Sequence, residues 1–342
     1  MKKVIITGSQ GFIGSYLCAE LLERGYKVVG IDNFSKYGPV ERAHDNHKNF
    51  VLLEMDICSL DSKKVQPHPV MKDADYIIAN AAMIGGISYF HKYAYDLLAE
   101  NERILAATFD LAIRLHTEEQ LKRIVVLSSS MVFENTSRYP TPEVEIKSCP
   151  PPTSTYGFQK LASEYFCRGA YEQYDLPYTI VRPFNCVGVG EGEALGEETA
   201  EVGNIKMLMS HVLPDLIYKA LHLGPEDLMP ILGKGNQIRH YTNGRDIARG
   251  IRIAMESEKA LNEDFNISSS VATSVKELAE MVWKKIHNTG TKLKYCEPYL
   301  YDVQVRSPDT NKAKAVLGFE AQVSLEESVA EVIEWMQESY NG

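Results

Sequence analysis

No apolar run in the chain approaches the roughly 20 residues that a membrane-spanning helix requires. The opening MKKVIITGSQG has an apolar stretch, Val4 to Ile6, far too short for the core of a secretory leader. Cysteine is scarce and scattered: Cys18, Cys58, Cys149, Cys167, Cys186 and Cys296 form no CxxC pair, which argues against zinc ligation and a disulfide framework and for reduced thiols. Positive charge is in deficit, with 36 Lys and Arg against 46 Asp and Glu and a formal net charge of -10. Phosphate backbones are bound by clustered cations, so nucleic acid is excluded as a partner, while small anions remain open to a few arginines and backbone N–H groups. Internal repeats and low-complexity linkers are absent. These deficits lead us to expect a soluble, cytoplasmic chain with no membrane, nucleic-acid or metal partner.

What is present is ordinary globular material, 44% hydrophobic and 24% charged, and 342 residues suffice for one large or two closely linked domains. KVIIT, KVVGID, FVLLEMD, ADYIIANAA, RIVVLSSS and YTIVRPFN read as buried strands. Between them lie longer segments with apolar residues at helical spacing, such as GFIGSYLCAELLERG and YDLLAENERILAATFDLAIRL. That alternation predicts an α/β fold with a parallel sheet and helices on both faces. After Gly188 the run GVGEGEALGEETAEVGN is acidic and glycine-rich, and reads as a loop over a site or as solvated surface. HVLPDLIYKAL, VKELAEMVWKKIH and LEESVAEVIEWMQESY then read as amphipathic helices of a smaller lobe.

The first strand runs into TGSQGFIG, which puts Gly8, Gly11 and Gly14 at a strand-to-helix turn. Glycines there permit a tight turn and close approach of a pyrophosphate, and the helix N-terminus adds N–H donors. Asp32 closes the second strand, where a carboxylate can accept from ribose hydroxyls and repel a 2′-phosphate, favouring NAD over NADP. Asp56, after VLLEM, caps a strand end or reaches the adenine. In TYGFQK, Tyr156 and Lys160 stand four apart and share a helix face, behind a proline-rich entry with Ser154 or Thr155 at the cap. Beside a nicotinamide, Lys160 would hold the ribose and ease formation of the Tyr156 phenolate, with a serine from the neighbouring strand end on the same substrate oxygen.

With these pieces in place, the chain resembles an extended short-chain dehydrogenase/reductase of the nucleotide-sugar epimerase/dehydratase family almost end to end. The likeness rests on TGSQGFIG, GIDN, MDI, NAA at Asn80 to Ala82, SSSMVF, the Tyr156/Lys160 pair, RPFN, GKGNQIRHYTNGRDIA and RSPDTNKAKAVLGF. It implies a Rossmann-type doubly wound parallel sheet with a smaller C-terminal α/β substrate lobe. The expected boundaries are 1–185, with 234–263 and about 303–309 returning, for the NAD domain, and 186–233, 264–302 and 310–342 for the sugar lobe. The NAD site would be drawn from Gly8, Gly11, Phe12, Ile13, Gly14, Asp32, Asn33, Asp56, Ile57, Ala81, Ala82, Lys160 and Pro183. The catalytic hydroxyl falls three residues before Val132, at Ser129, joined by Tyr156 and Lys160; Ser128 reads as structural, Ser130 as a structural neighbour that also borders the sugar, and Phe133 replaces a family tyrosine. A nucleotide-diphosphate sugar would meet Ser129, Ser130, Met131, Asn185, His211, Arg239 and Arg306, with the two arginines gripping the diphosphate. Arg182 reads as structural, and Asn101 as helix packing or support near the site. Relatives are usually homodimers through two helices of the Rossmann domain.

The family's reactions begin alike, with Tyr156 taking the C4 hydroxyl proton as hydride leaves. Dehydratases then use an Asp-Glu pair where this chain has Ser130 and Met131; 3,5-epimerases and the fucose-synthase type use a cysteine at the position of Met131. A methionine thioether does neither, which favours hydride out and hydride back: an epimerase acting at C4 through a transient 4-keto sugar. Against this, SHVLPDLI resembles the fucose-synthase segment with an acid histidine, here His211, and AAMIGGI resembles the same relatives. The alternatives are therefore a 4-dehydrogenase or 4-ketoreductase, or a catalytically inactive nucleotide-sugar or NAD-binding protein.

Overall fold

The computed structural model describes residues 1–60, 67–84, 93–119, 121–191, 200–202, 205–207, 211–298 and 303–341. Seven strands build the central sheet: β1 (Lys3–Thr7), β2 (Lys27–Asp32), β3 (Phe50–Glu54), β4 (Tyr76–Ala79), β5 (Arg123–Leu127), β6 (Tyr178–Pro183) and β7 (Glu263–Ile267). Their order is β7-β6-β5-β4-β1-β2-β3, and every pairing is parallel. The chain reverses its direction of travel across the sheet at β1, so a crevice opens beyond the carboxyl ends of β1 and β4, where doubly wound sheets bind ligands.

Continuous apolar runs form these strands because both faces are covered. Val4 and Ile6 of β1 pack into one core with α1 (Phe12–Glu23) and, later in the chain, the helix Gly244–Glu256. Ile5, between them, enters the opposite core with α2 (Ala94–Glu119) and α3 (Thr155–Tyr174). A third core joins α4 (Val212–His222), α6 (Val275–His287) and α7 (Leu325–Asn341), α5 being Gly244–Glu256, over the strand Leu228–Leu232, itself parallel to Lys292–Cys296. This is the smaller lobe, and its helices form where the amphipathic patterns predicted them. The expected division at residue 263/264 cuts through β7, which pairs with β6 and sinks Phe265 and Ile267 into the first core. Ala313 and Phe319 also belong to that core rather than to the lobe. The acidic run 188–204 lies largely, and residues 85–87 of the AAMIGGI stretch wholly, outside the described residues.

One buried charged cluster fixes α3 to the sheet. Arg182 of β6 and Glu164 of α3 are both fully buried, and the guanidinium donates to both carboxylate oxygens at 2.7 and 2.8 Å. Arg182 also reaches Asp264 of β7 at 2.7 Å, and the Ser128 hydroxyl donates to Glu164 Oε1 at 2.8 Å. Arg182 is thus structural, as its position in RPFN suggested. Removing one member of a buried ion pair leaves the other uncompensated. Arg182→Met is expected to lower stability by about 3–5 kcal/mol in urea unfolding; a change below about 1 kcal/mol would contradict this account.

Candidate active site

β1 ends at Thr7, and Gly8 turns the chain with φ of 71°, a conformation glycine adopts without strain. A Cβ on Gly8 would lie 2.8 Å from Ala81 Cα, and one on Gly14 only 1.9 Å from Gly8 O. Both glycines are therefore required for close packing, of β4's exit against the loop and of α1 upon it. Asn80 Nδ2 donates to Gly8 O at 2.9 Å, and Thr7 Oγ1 accepts from the N–H groups of Asn80 and Ala81, each at 3.1 Å. Gly11 is the N-cap of α1 and supplies no capping side chain, so the first N–H groups of the helix, at the end of the glycine loop, are not taken by a cap and suit an anion. At the end of β2, Asp32 accepts from Gln10 N and Phe34 N, both at 2.8 Å, one bond to each oxygen. The remaining lone pairs suit ribose hydroxyls.

The other expected cofactor residues separate into two kinds. Asn33 is exposed and donates to Asp56 at 3.2 Å, while Asp56 also accepts from Cys58 N and so caps the turn that follows β3. Ala81, Ala82 and Pro183 are half-buried at strand ends. Ile57 is a core residue against α2, Ile13 packs against the first core, and the Phe12 ring sets its edge on Tyr16. For these three, sequence position placed the backbone near the loop, while their apolar side chains pack within the protein. Asn101 is a support: its amide group accepts from Met83 N at 2.7 Å and donates to Met83 O at 2.9 Å.

β5 delivers Ser129. It is buried, and its hydroxyl accepts from Met131 N at 3.2 Å, capping the 3₁₀ turn Ser130–Phe133. Ser154 caps α3 by accepting from Gly157 N at 3.0 Å, which places Tyr156 in the first helical turn. Burial drives the Tyr156 phenol pKa upward, and a hydrogen bond with Ser129 and the charge of Arg306 pull it back. Lys160, one turn on, donates to Leu127 O at 3.0 Å and lies 6.0 Å from the Tyr156 ring centre. A second cation, Arg306, also acts on Tyr156 and lowers the cost of its phenolate. Met131 is buried in an apolar cluster with Tyr156 and Leu97, flanked by Ile84 and Val303. Ser130 is buried in the same turn, and Phe133 packs with Val132 and Phe184 beneath the Arg182 guanidinium, 5.0 Å away. Phe133 is hence a core residue without need of a hydroxyl.

Arg239 and Arg306 come from stretches 67 residues apart, yet they lie on adjoining extended segments. Ile238 N donates to Gln304 O at 2.8 Å, and Arg306 N to Ile238 O at 3.0 Å. Asn185, with φ of 29°, turns the chain beyond β6, its carbonyl accepting from Thr242 N at 3.0 Å. His211 stands at the N-terminus of α4 with its Nδ1 against the buried carboxylate of Glu191. Three partners escaped the sequence reading: Glu134, Glu164 and Glu191. Only Glu164 left a signal, one helical turn beyond Lys160 on the same face.

A seven-stranded sheet of this order, with a glycine loop at its switch point and a Tyr–Lys helix beside β5, defines an extended short-chain dehydrogenase/reductase. The chain belongs to the NAD dependent epimerase/dehydratase family, whose model matches residues 4–268, and NAD is its cofactor. It is 28% identical to UDP-N-acetyl-alpha-D-glucosaminuronate decarboxylase of Bacillus cytotoxicus over 99% of each chain. It is 26% identical to UDP-glucose 4-epimerase of Bacillus subtilis, across 99% of this chain and 98% of that one. The solved UDP-glucose 4-epimerase of Thermotoga maritima with UDP-glucose is similar at a TM-score of 0.79 and 26% identity, covering 99% of both chains.

Two measurements test the electrostatics. Burial holds Lys160 down to about 8 from 10.5. The unfolded chain then binds more protons between those values, so the folded state is penalised below pH of about 8 and regains stability as pH rises towards 10.5. Lys160→Met should stabilise the cofactor-free protein at neutral pH by up to about 3 kcal/mol, fading at high pH in urea titrations. A variant less stable than the parent at neutral pH would contradict this. Asp32→Ala should weaken NAD by about tenfold or more and narrow the preference over NADP, read by calorimetric binding; unchanged affinity for both would remove Asp32 from the site.

Proposed function

We propose that the chain is an NAD-dependent nucleotide-sugar epimerase that inverts C4 through a transient 4-keto sugar. The observation that carries this reading is Met131. At the position where an acid, base or thiol would commit a relative to dehydration or carbon-acid chemistry, this chain buries a thioether against the Tyr156 ring. What stands at the reacting oxygen is a hydroxyl, a phenol and a cation, enough for proton transfer at one oxygen. NAD, when bound, supplies the hydride acceptor and donor that the side chains lack.

In this reading Tyr156 takes the C4 hydroxyl proton and returns it, and Ser129 donates to the C4 oxygen. Burial makes the phenolate costly, and the Arg306 charge offsets part of that cost. Lys160, held by Leu127 O, anchors the cofactor side. Arg239 and Arg306, on adjoining extended segments, and Asn185 at the β6 exit would hold the diphosphate sugar. The keto sugar must then turn over to present its other face. The enzyme is read as a cytoplasmic homodimer through α2 and α3, whose outer groove is lined by Phe109, Ile113, Phe166, Ala170 and Tyr174.

One observation favours a second reading, a 4-ketoreductase. His211, beside the buried Glu191 carboxylate at the start of α4, occupies the position of the acid histidine in the fucose-synthase segment. One result tests the chemistry that both readings share, and a second separates them. Tyr156→Phe should lose turnover by roughly a thousandfold or more while keeping NAD, and near-parental turnover would refute the role of Tyr156. In a nucleotide-sugar panel followed by NMR, the parent enzyme should form product without added NAD and without net NADH. Stoichiometric NADH would mark a dehydrogenase, and dependence on added NADPH a reductase.

A further inference from the structure

Glu134, the residue after SSSMVF, bridges the two elements that carry Ser129 and Tyr156. Its N–H donates to Met131 O at 3.1 Å, closing the turn that Ser129 caps. Its Oε2 accepts from Ser154 N at 3.0 Å and from Ser154 Oγ at 2.8 Å, across 20 residues of chain. Ser154 Oγ in turn accepts from Gly157 N, the residue after Tyr156. A Cβ on Gly157 would meet Met131 O at 2.9 Å and Glu134 Oε2 at 3.0 Å, so the first turn of α3 is seated directly on the Ser129 turn.

We propose that Glu134 is a positioning residue: its carboxylate locks the start of α3 onto the Ser129 turn and thereby sets the Ser129 hydroxyl against the Tyr156 phenol. The inference rests on the role proposed above for Tyr156. A serine hydroxyl rotates freely until its donor is engaged. With its O–H held by Glu134, the Ser154 lone pair is aimed at Gly157 N, and the helix enters at one angle. Both bonds fall on a single oxygen, so an amide oxygen would serve as well as a carboxylate. An ordinary cap contributes stability and nothing more. A shift of about 1 Å in a reacting group, by contrast, costs roughly a hundredfold in rate.

The test uses the NAD-loaded protein with isotope-labelled tyrosine, the Tyr156 resonance being assigned by its loss in Tyr156→Phe. Ser129 is among the groups that lower the Tyr156 pKa, so loosening that contact moves the phenol titration upward. Removing a nearby carboxylate charge alone would move it downward, which separates position from charge. In Glu134→Ala the Tyr156 titration should rise by about one unit, and in Glu134→Gln it should stay within about half a unit of the parent. An unshifted Glu134→Ala, whatever its melting temperature, would reduce Glu134 to a cap, and a Gln variant that behaves like Ala would equally overturn the proposal. If Glu134→Ala does not fold, Ser154→Ala takes its place: an upward shift supports the proposal and none overturns it. The titration needs no sugar, so it stands apart from the turnover of Tyr156→Phe, which tests the reaction itself.

Discussion

A single buried carboxylate, Glu164, holds the two halves of the site in register. It sits one turn beyond Lys160 on α3, accepts the Ser128 hydroxyl beside Ser129, and takes the Arg182 fork from β6. A charge at that depth is tolerable because both carboxylate oxygens are hydrogen-bonded at once. Any displacement of α3 along the sheet would break the fork, so the helix has one position. Tyr156 and Lys160 inherit that position from Glu164 at one end and from the Ser154 cap at the other.

Burial then sets the chemistry. It raises the cost of a Tyr156 phenolate and of a Lys160 ammonium alike, so both groups are biased towards their neutral forms. Two neighbours work against that bias at Tyr156, the Ser129 hydroxyl and the Arg306 charge. Residues 304–306 run beside Ile238, which brings the Arg306 charge to act on Tyr156. The same segment contributes Val303 to the apolar wall with Met131 and Leu97. Among the described residues of that cluster, Met131, Leu97, Ile84 and Val303 are apolar and offer no second proton transfer.

The sheet was legible in the sequence because its strands are covered on both faces and carry unbroken apolar runs. The glycine loop was legible because Gly8 and Gly14 answer to close backbone contacts that no other residue fits. Local patterns also gave the amphipathic helices of the small lobe. The boundary at residue 263 was misplaced because Phe265 and Ile267 carry a short alternating pattern, FNI, whose partner strand lies 84 residues earlier, as in the Tyr178–Asn262 contact. Long-range pairing also hid Glu134, Glu191 and the action of Arg306 on Tyr156, since nothing local marks a carboxylate as the partner of a distant serine or histidine. Ile57, near a motif in sequence, is a buried core residue, whereas Ile13 and Phe12 are half-buried, packed against the first core and against Tyr16.

The central claim is that hydride leaves and returns at one carbon, with no second carbon acid involved. The most direct measurement follows that hydrogen in the NAD-loaded enzyme, using nucleotide sugars that carry deuterium at C4 and reading the products by NMR. The expected result is the C4 epimer with deuterium kept at C4 and no exchange with solvent at C3 or C5. Loss of the label from C4, or solvent hydrogen entering at C3 or C5, would contradict it.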